Sequence, residues 1–241
     1  MYLPWVGYFE QVAAVDHFVL MDDVQYTKRD WRNRNRIKTA NGALWLTVPV
    51  RHPDLDSLIK EVDIDYRRDW VRKHLRSIEV NYHRRPHFRP LFDEIAETLD
   101  QRPQRLVDLN VSLIRLFMKH LGIQTPLSLS SAIPRDQRRY GDAVDARNER
   151  IIEICQHHRA DVLYDGKSAA DFIDRARFAA AGIRVVFQDY RPVPYPQAFG
   201  EFMPSLSTLD LVMNVGPAAG EIMRQGSSAR LQEAQASSEG R

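Results

Sequence analysis

The spacing of apolar residues changes period three times along this chain of 241 residues. Residues 33–50 alternate around Asn41-Gly42, the pairing that favours a two-residue type I′ turn, and so predict a β-hairpin. Opposing Ala40 to Ala43 pairs Ile37 with Leu46 and Lys38 with Trp45. That register puts Ile37, Leu44, Leu46 and Val48 on a core face, and Arg34, Arg36, Lys38 and Trp45 on the other. From Asp63 to Gly122 the period becomes helical. Trp70, Val71, His74, Leu75, Ile78 and Tyr82 form one stripe, Pro86 ends it, and further helices are expected over Phe88–Leu99 and Leu106–Leu121 with Gly122 as the cap. Strands at 126–133, 161–165 and 183–190 then alternate with helices at 145–158 and 168–181, which implies parallel strands and right-handed crossovers. A last ordered piece starts at Leu206, where Ser207 and Asp210 have capping-box spacing; Gly216-Pro217 stops its helix, and a short second helix runs to Arg224. Residues 225–241 are Ser, Ala, Gln and Glu with little apolar content and are expected to be disordered.

The opening segment, Tyr2-Leu-Pro-Trp-Val-Gly-Tyr-Phe9, is too rich in aromatics for a frayed end. It reads as a strand-to-helix turn in which Leu3 is extended before Pro4 and Gly7 admits a tight turn or a ligand. A helix of this kind follows a strand, so a strand is expected ahead of it. After the helix, Phe18-Val-Leu-Met21 reads as a buried strand ending in Asp22-Asp23. Ligands in open α/β sheets sit outside the carboxyl ends of strands, which places these two acids where chemistry is expected.

Net charge is only +2, from 34 basic and 32 acidic residues, so a preference for anions has to be local. Two local clusters qualify. Arg34, Arg36 and Lys38 repel one another along a strand unless they are solvated or share an anion, with Asn33 and Asn35 beside them to orient a ligand. Arg147 and Arg150 fall in the first turns of a helix that Asp145 caps, against the macrodipole; Asp142 and Glu149 offset this locally, and a bound phosphate would offset it better. The basic residues between Arg67 and Arg89 share their helix with the packing stripe and read as a solvated face, which ranks nucleic acid below the other partners.

No zinc spacing, P-loop, G-x-G-x-x-G or G-x-S-x-G elbow occurs. The single cysteine, Cys155, lies in an apolar helix and reads as a small core residue; His157-His158 at that helix end complement the dipole. With no disulfide framework, no signal peptide pattern and no long apolar run, a cytoplasmic protein without membrane insertion is expected.

Tyr2–Phe9, Asp22-Asp-Val-Gln-Tyr26, Asn33–Ile37, Trp45–Pro49, Asn81-Tyr82, Asn148-Glu-Arg150, Leu206–Leu211 and Asn214–Pro217, in this order, resemble the WbqC-like protein family. The resemblance implies one α/β domain over 1–224: a Rossmann-like, mainly parallel sheet with an inserted β-hairpin and a helical insertion over 63–122. It also implies a short apolar strand ending in Gln-Pro before the Tyr-Leu-Pro-Trp motif, which this sequence does not show. The family pattern has Ser-Gly where Asp165-Gly166 stands and Lys where Arg147 stands.

The function implied is acyl or aminoacyl transfer, of the glycine type, to an amino sugar or sugar nucleotide in bacterial surface-polysaccharide (O-antigen) biosynthesis. Arg34, Arg36, Arg147 and Arg150 would hold phosphates, Asp22 or Asp23 would be the general base, and Trp5 and Tyr8 would cover the ligand. Tyr2, Pro4, Gln25, Asn33, Asn35, Tyr82, Glu149, Asp210 and Asn214 complete the expected substrate site, whose partner is a small anionic molecule, nucleotide-linked or carrier-linked. An amine attacking an activated acyl group needs no protein nucleophile, only a base and donors to the carbonyl oxygen. The alternatives are nucleotidyl transfer, in which Asp22 or Asp23 would hold Mg²⁺, and non-catalytic binding of a nucleotide sugar or partner.

Overall fold

The computed structural model describes residues 1–51, 57–135 and 143–227. It is a mixed α/β protein that divides into two compact units, one built from Met1–Glu10, Asp22–Gln124 and Pro192–Gly226, the other from Gln11–Met21 and Thr125–Arg191. Among the described residues no helix is long and apolar enough to cross a membrane.

The first unit joins a hairpin to a group of helices. Strands β2 (Arg34–Thr39) and β3 (Gly42–Thr47) pair antiparallel. Helices α2 (Trp70–Tyr82), α3 (Phe88–Asp100) and α4 (Leu106–Leu121) follow, and α7 (Thr208–Val215) and α8 (Ala219–Gln225) close the unit. Helix α3 packs on α2, α4 and α7, so Leu91, Ile95 and Leu99 have no exposed surface. The α2 stripe is as expected: Trp70, Val71, His74, Ile78 and Tyr82 are buried, while Arg72, Lys73 and Arg76 are in solvent. Helix α4 ends at Leu121 on an αL glycine, Gly122 with φ 66°, where a side chain would be strained. Helix α7 stops at Gly216, whose φ is 58°.

The hairpin corrects the expected register. Thr39 pairs with Gly42 and Arg36 with Trp45, so the turn is Ala40-Asn41, one residue earlier than the expected Asn41-Gly42. The Thr39 hydroxyl fixes it by donating to the Gly42 carbonyl (2.8 Å) and accepting from the Asn41 N–H (3.2 Å). Moving the turn by one residue moves each cross-strand partner by two, which leaves the two faces as expected. Burial does not follow the faces so simply: Leu44 is 39% exposed near the tip, and Lys38 on the cationic face is buried.

The second unit contains two parallel pairs, β1 (Phe18–Leu20) with β4 (Leu127–Leu129), and β5 (Val162–Asp165) with β6 (Arg184–Phe187). Helices α5 (Ala143–His157) and α6 (Arg175–Ala180) cover them, and Ile152, Cys155, Phe178, Ile183 and Val185 form the core. The described strands thus form three two-stranded sheets instead of one continuous sheet. The helix expected over 168–181 is a 3₁₀ turn at Lys167–Asp171 followed by α6, because Asp174 caps a new start by accepting from the Ala176 and Arg177 N–H groups. Cys155 is a core residue, and burial pushes its thiol up to about 11. Of the segment 225–241, for which composition implies disorder, Gln225 ends α8, and residues 228–241 lie outside the described residues.

Candidate functional site

The opening motif is held by its own backbone. Leu3 adopts φ 42°, a left-handed conformation that costs a non-glycine residue roughly 1–3 kcal/mol, in place of the expected extended geometry. Asn35 holds it there by donating from Nδ2 to the Leu3 carbonyl at 2.7 Å, while its Oδ1 accepts the Arg36 N–H at 2.8 Å. Tyr2 is fully buried, its N–H on the Trp31 carbonyl (3.1 Å) and its hydroxyl on His74 Nδ1 (2.9 Å). Burial drives the His74 imidazole down to about 4, so it is neutral at pH 7 and accepts that hydrogen bond. The Pro4 carbonyl accepts from the Thr208 N–H at 2.9 Å, and Trp5 bridges to Ser207. Gly7 serves this packing: a Cβ there would come 2.3 Å from the Trp5 ring, so the indole lies against the bare backbone. Tyr8 is buried, and its phenol is raised above its usual range by burial.

Beneath the hairpin lies a second engaged network. Tyr82 donates to Asp210 Oδ1 at 2.7 Å and accepts the Lys38 N–H at 2.9 Å, and Tyr195 donates to Asp210 Oδ2 at 2.7 Å. Burial raises the Asp210 carboxyl; the two tyrosines, Lys38 and Gln197 act in the opposite direction. Lys38 Nζ turns to Gln197 Oε1 (3.1 Å) and the Glu201 carbonyl, which accounts for its burial. Asp210 therefore does not reach back to complete a capping box, although Ser207 is the N-cap of α7. Asn214 donates to the Asp210 carbonyl within the same helix (2.7 Å), and Asn33 to the Val48 carbonyl (2.9 Å). Tyr2, Asn35, Tyr82 and Asp210, each at most 1% exposed, offer a ligand no surface; they are struts.

The cationic face of the hairpin differs in keeping exposed aromatic surface. Arg34 Cζ lies 4.3 Å from the Trp45 ring centroid, and Arg36 Cζ lies 5.5 Å from Trp45 and 5.6 Å from Trp31. The two indoles are 5.2 Å apart and tilted by 38°, with 38% of Trp31 and 41% of Trp45 exposed. Among the described residues each arginine has a buried Nε with no hydrogen-bond partner and neither forms an ion pair; Arg36 Nη2 donates to the Ser205 carbonyl at 3.3 Å. Two guanidiniums with open donors, on strand positions two apart, can take a phosphate or carboxylate in bidentate fashion, and the indole faces can take a ring. Tyr26 lies near them, its phenol raised by burial against the pull of Arg32 and Arg34. Trp31 and Tyr195 are additions to the residues expected from sequence. An aromatic two residues before Asn33 is the available signal for Trp31; Tyr195 sits in a Pro-rich stretch with no pattern.

Asp22 and Asp23 are 2% and 8% exposed, shortly after β1, and the Asp22 carbonyl accepts the Lys60 N–H at 2.9 Å. Gln25 is exposed and bridges to Leu58. Among the described residues no group of three or more His, Cys, Asp or Glu side chains gathers as a metal site.

The second unit changes the reading of its arginines. Helix α5 begins at Ala143, which puts Arg147 in its second turn and removes the first-turn argument; Asp142 and the side chain of Asp145 lie outside the described residues. Arg150 is 3% exposed, with donors on the Ser130, Ile133 and Pro134 carbonyls (2.5, 3.1 and 3.0 Å) and an ion pair to Glu153 (3.3 Å). It ties the segment after β4 to α5 and is not available to a phosphate. Glu149 pairs with Arg177 at 3.3 Å, and exposed Arg147 lies over the Phe172 ring at 4.7 Å.

A family model described as the WbqC-like protein family matches residues 1–222. The chain belongs to the WbqC-like protein family. It is similar to Rv1507c of Mycobacterium tuberculosis (strain ATCC 25618 / H37Rv), an uncharacterized protein, at 39% identity over 226 residues, which is 92% of this chain and 94% of the relative. No solved structure matches. The residues through which the chain resembles the WbqC-like family divide into two kinds. Tyr2, Asn35, Tyr82, Asn148 and Asp210 are engaged with protein partners, Asn148 by donating to the Phe172 carbonyl (3.0 Å) and accepting the Asp174 N–H (2.9 Å). Arg34 and Arg36 instead keep Nε donors without a partner among the described residues, and Trp45 keeps an exposed ring.

Proposed function

We propose that this WbqC-like protein binds an anionic, nucleotide-linked or carrier-linked amino sugar on the Arg34–Arg36 face and transfers an acyl or aminoacyl group to its amine, as a step in surface-polysaccharide biosynthesis. The observation that carries the reading is the pair of buried arginine Nε donors without partners among the described residues, with the guanidiniums over two half-exposed tryptophans. Such a face suits a phosphate group flanked by a planar or sugar ring. In the transfer step the amine nitrogen bonds to the acyl carbon, the bond from that carbon to its leaving group breaks, and the amine proton passes to Asp22 or Asp23. Both carboxylates lie just past the carboxyl end of β1, where α/β ligands gather. The parallel pairs β1–β4 and β5–β6 support a Rossmann-like sheet as the scaffold.

The test is calorimetric titration with a nucleoside diphosphate, a nucleotide-linked amino sugar and pyrophosphate, on the native protein and on Arg34→Met/Arg36→Met. Binding of the nucleotide compounds should weaken tenfold or more in the double variant, since charge-assisted bonds contribute about 1.5–3 kcal/mol each. Equal affinity in both proteins refutes the site. Asp22→Asn and Asp23→Asn that both leave transfer intact refute the base.

A further inference from the structure

Cations recur at every second position from residue 32 to residue 38: Arg32, Arg34, Arg36 and Lys38. The outer two are engaged by the protein. Arg32 forms an ion pair with Asp30, and Lys38 Nζ donates to Gln197 Oε1 at 3.1 Å and to the Glu201 carbonyl. The inner two, Arg34 and Arg36, keep buried Nε donors with no partner among the described residues. The row therefore offers an anion two guanidiniums, about 6.5 Å apart along the strand. That window sets the size of the anion. Two forked guanidiniums suit a diphosphate, each end of which accepts a bidentate pair, and are more than a single carboxylate can use. A nucleic-acid strand needs cations that continue along its backbone, and here the row is taken up at both ends.

The other half of the face is aromatic. Trp45 pairs with Arg36 across the hairpin, the Trp31 ring lies 5.2 Å from it, and both indoles remain exposed although tryptophan is highly buried on average. A nucleobase placed there lays its π-face on an indole and turns its ring carbonyls and nitrogens toward the guanidinium donors. An aliphatic chain gains the apolar contact alone. It also covers the guanidinium donors without replacing the hydrogen bonds they make to water, which costs free energy. The apolar surface is short as well, because Leu44, the exposed neighbour of Trp45 in β3, points to the opposite side of the strand. Two indoles fit a base better than they fit a long polyprenyl chain.

We propose that the Arg34–Arg36 face is a nucleoside-diphosphate site: the diphosphate spans the two guanidiniums and the base stacks on the Trp31–Trp45 pair, so the substrate is nucleotide-linked and not carrier-linked. The inference rests on this face being the anion site proposed above and adds what the anion carries. Stacking tolerates a change of base, so purine and pyrimidine diphosphates both bind. Trp31 and Trp45 are then the residues that separate a nucleotide from any other diphosphate. Both can be replaced without touching a main-chain anchor: the Trp31 carbonyl accepts the Tyr2 N–H (3.1 Å) just ahead of α1 (Val6–Ala13), and Trp45 is paired to Arg36 through the strand backbone.

The experiment is calorimetric titration of the native chain with uridine diphosphate, adenosine diphosphate, inorganic pyrophosphate and farnesyl diphosphate, the last two carrying the diphosphate without a base. Both nucleoside diphosphates should bind at least about tenfold more tightly than the other two, the factor that one stacked base contributes. In Trp31→Leu/Trp45→Leu that advantage should disappear while pyrophosphate still binds, with Tm reporting that the fold survives; if the double variant does not fold, Trp45→Leu alone carries the comparison. Farnesyl diphosphate binding as tightly as the nucleotides, or a nucleotide advantage that survives loss of the indoles, overturns the assignment and leaves the anion site standing. Arg34→Met/Arg36→Met separates the two claims. All four compounds should weaken together in it, and unchanged binding of all four refutes the anion site itself and this inference with it.

Discussion

Protonation of His74 is the clearest expected source of acid sensitivity in this protein. The imidazole is 6% exposed, accepts a hydrogen bond from the Tyr2 hydroxyl, and is held at about 4 by burial, against an ordinary 6.5, with a backbone hydrogen bond at Thr47 opposing the shift. Because the folded value lies below the unfolded one, the unfolded chain binds the extra proton between the two. Stability contributed by neutral His74 is thus complete above 6.5 and falls away as pH drops toward 4. Between pH 7 and pH 5, a window chosen above most carboxylate titrations, the loss is about 2 kcal/mol, from 1.36 kcal/mol per pH unit over the 1.5 units below 6.5. Urea unfolding of the native protein and of His74→Phe at both pH values isolates the effect. The variant starts lower at pH 7, by roughly 1–3 kcal/mol, since the buried Tyr2 hydroxyl loses its acceptor. That offset is independent of pH in this window, because burial raises the Tyr2 phenol well above it. The variant should therefore lose about 2 kcal/mol less than the native protein on acidification. Parallel losses in the two proteins, or a His74 titration near 6.5 by NMR, would refute the reasoning.

Other substitutions test the remaining parts. Asp210→Ala removes the acceptor of two tyrosine hydroxyls and should destabilise by roughly 2–4 kcal/mol in urea, with Asp210→Asn intermediate because an amide accepts from only one of them. Gly7→Ala puts a methyl within 2.3 Å of the Trp5 ring and should cost roughly 1–3 kcal/mol, accompanied by a change in tryptophan fluorescence as the indole is displaced. Gly216→Ala should be at least as severe in the same urea assay, since φ is 58° and the new Cβ would meet the His87 ring at 2.4 Å. Trp45→Ala should weaken binding of a nucleotide sugar with little effect on stability, as the ring is 41% exposed; an equal loss of Tm and affinity would assign it a structural role instead.

The helices are legible in the sequence because each carries its instructions locally. Leu106–Leu121 can be placed to the residue, from a stripe at spacings of three and four and from a glycine that tolerates φ 66° at the cap. The hairpin is half legible: alternation fixes its faces, but the register depends on the Thr39 hydroxyl, and one side chain can move a turn by a residue. Leu3 departs from its expected geometry because the rule for residues before proline is local, whereas Asn35, far along the sequence, holds the Leu3 carbonyl. Arg150 departs from its expected role for a related reason. Cationic residues on a helix look alike in sequence, and only the return of the 130–134 carbonyls to α5 shows that its donors are taken.

That distinction bears on how the polar residues of such a motif are assigned. A polar side chain in a motif can serve a ligand only with donors or acceptors left over from the fold. Asn35 and Asn148 each use both ends of the amide on the main chain, and Asp210 uses both carboxylate oxygens on tyrosines. Removing any of them leaves buried groups without partners, so a fall in activity in those variants would report damage to the fold. Arg34 and Arg36 are the reverse case. Among the described residues their Nε atoms lack partners, and the Ser205 carbonyl is the acceptor that replacing both side chains deprives of a donor. The stacking of each guanidinium on an indole contributes only about 0.5–1 kcal/mol at exposed sites. A double variant that keeps its Tm within a few degrees and no longer binds ligand therefore speaks to binding alone, which is why the hairpin face, and not the better-connected network beneath it, is the place to test function.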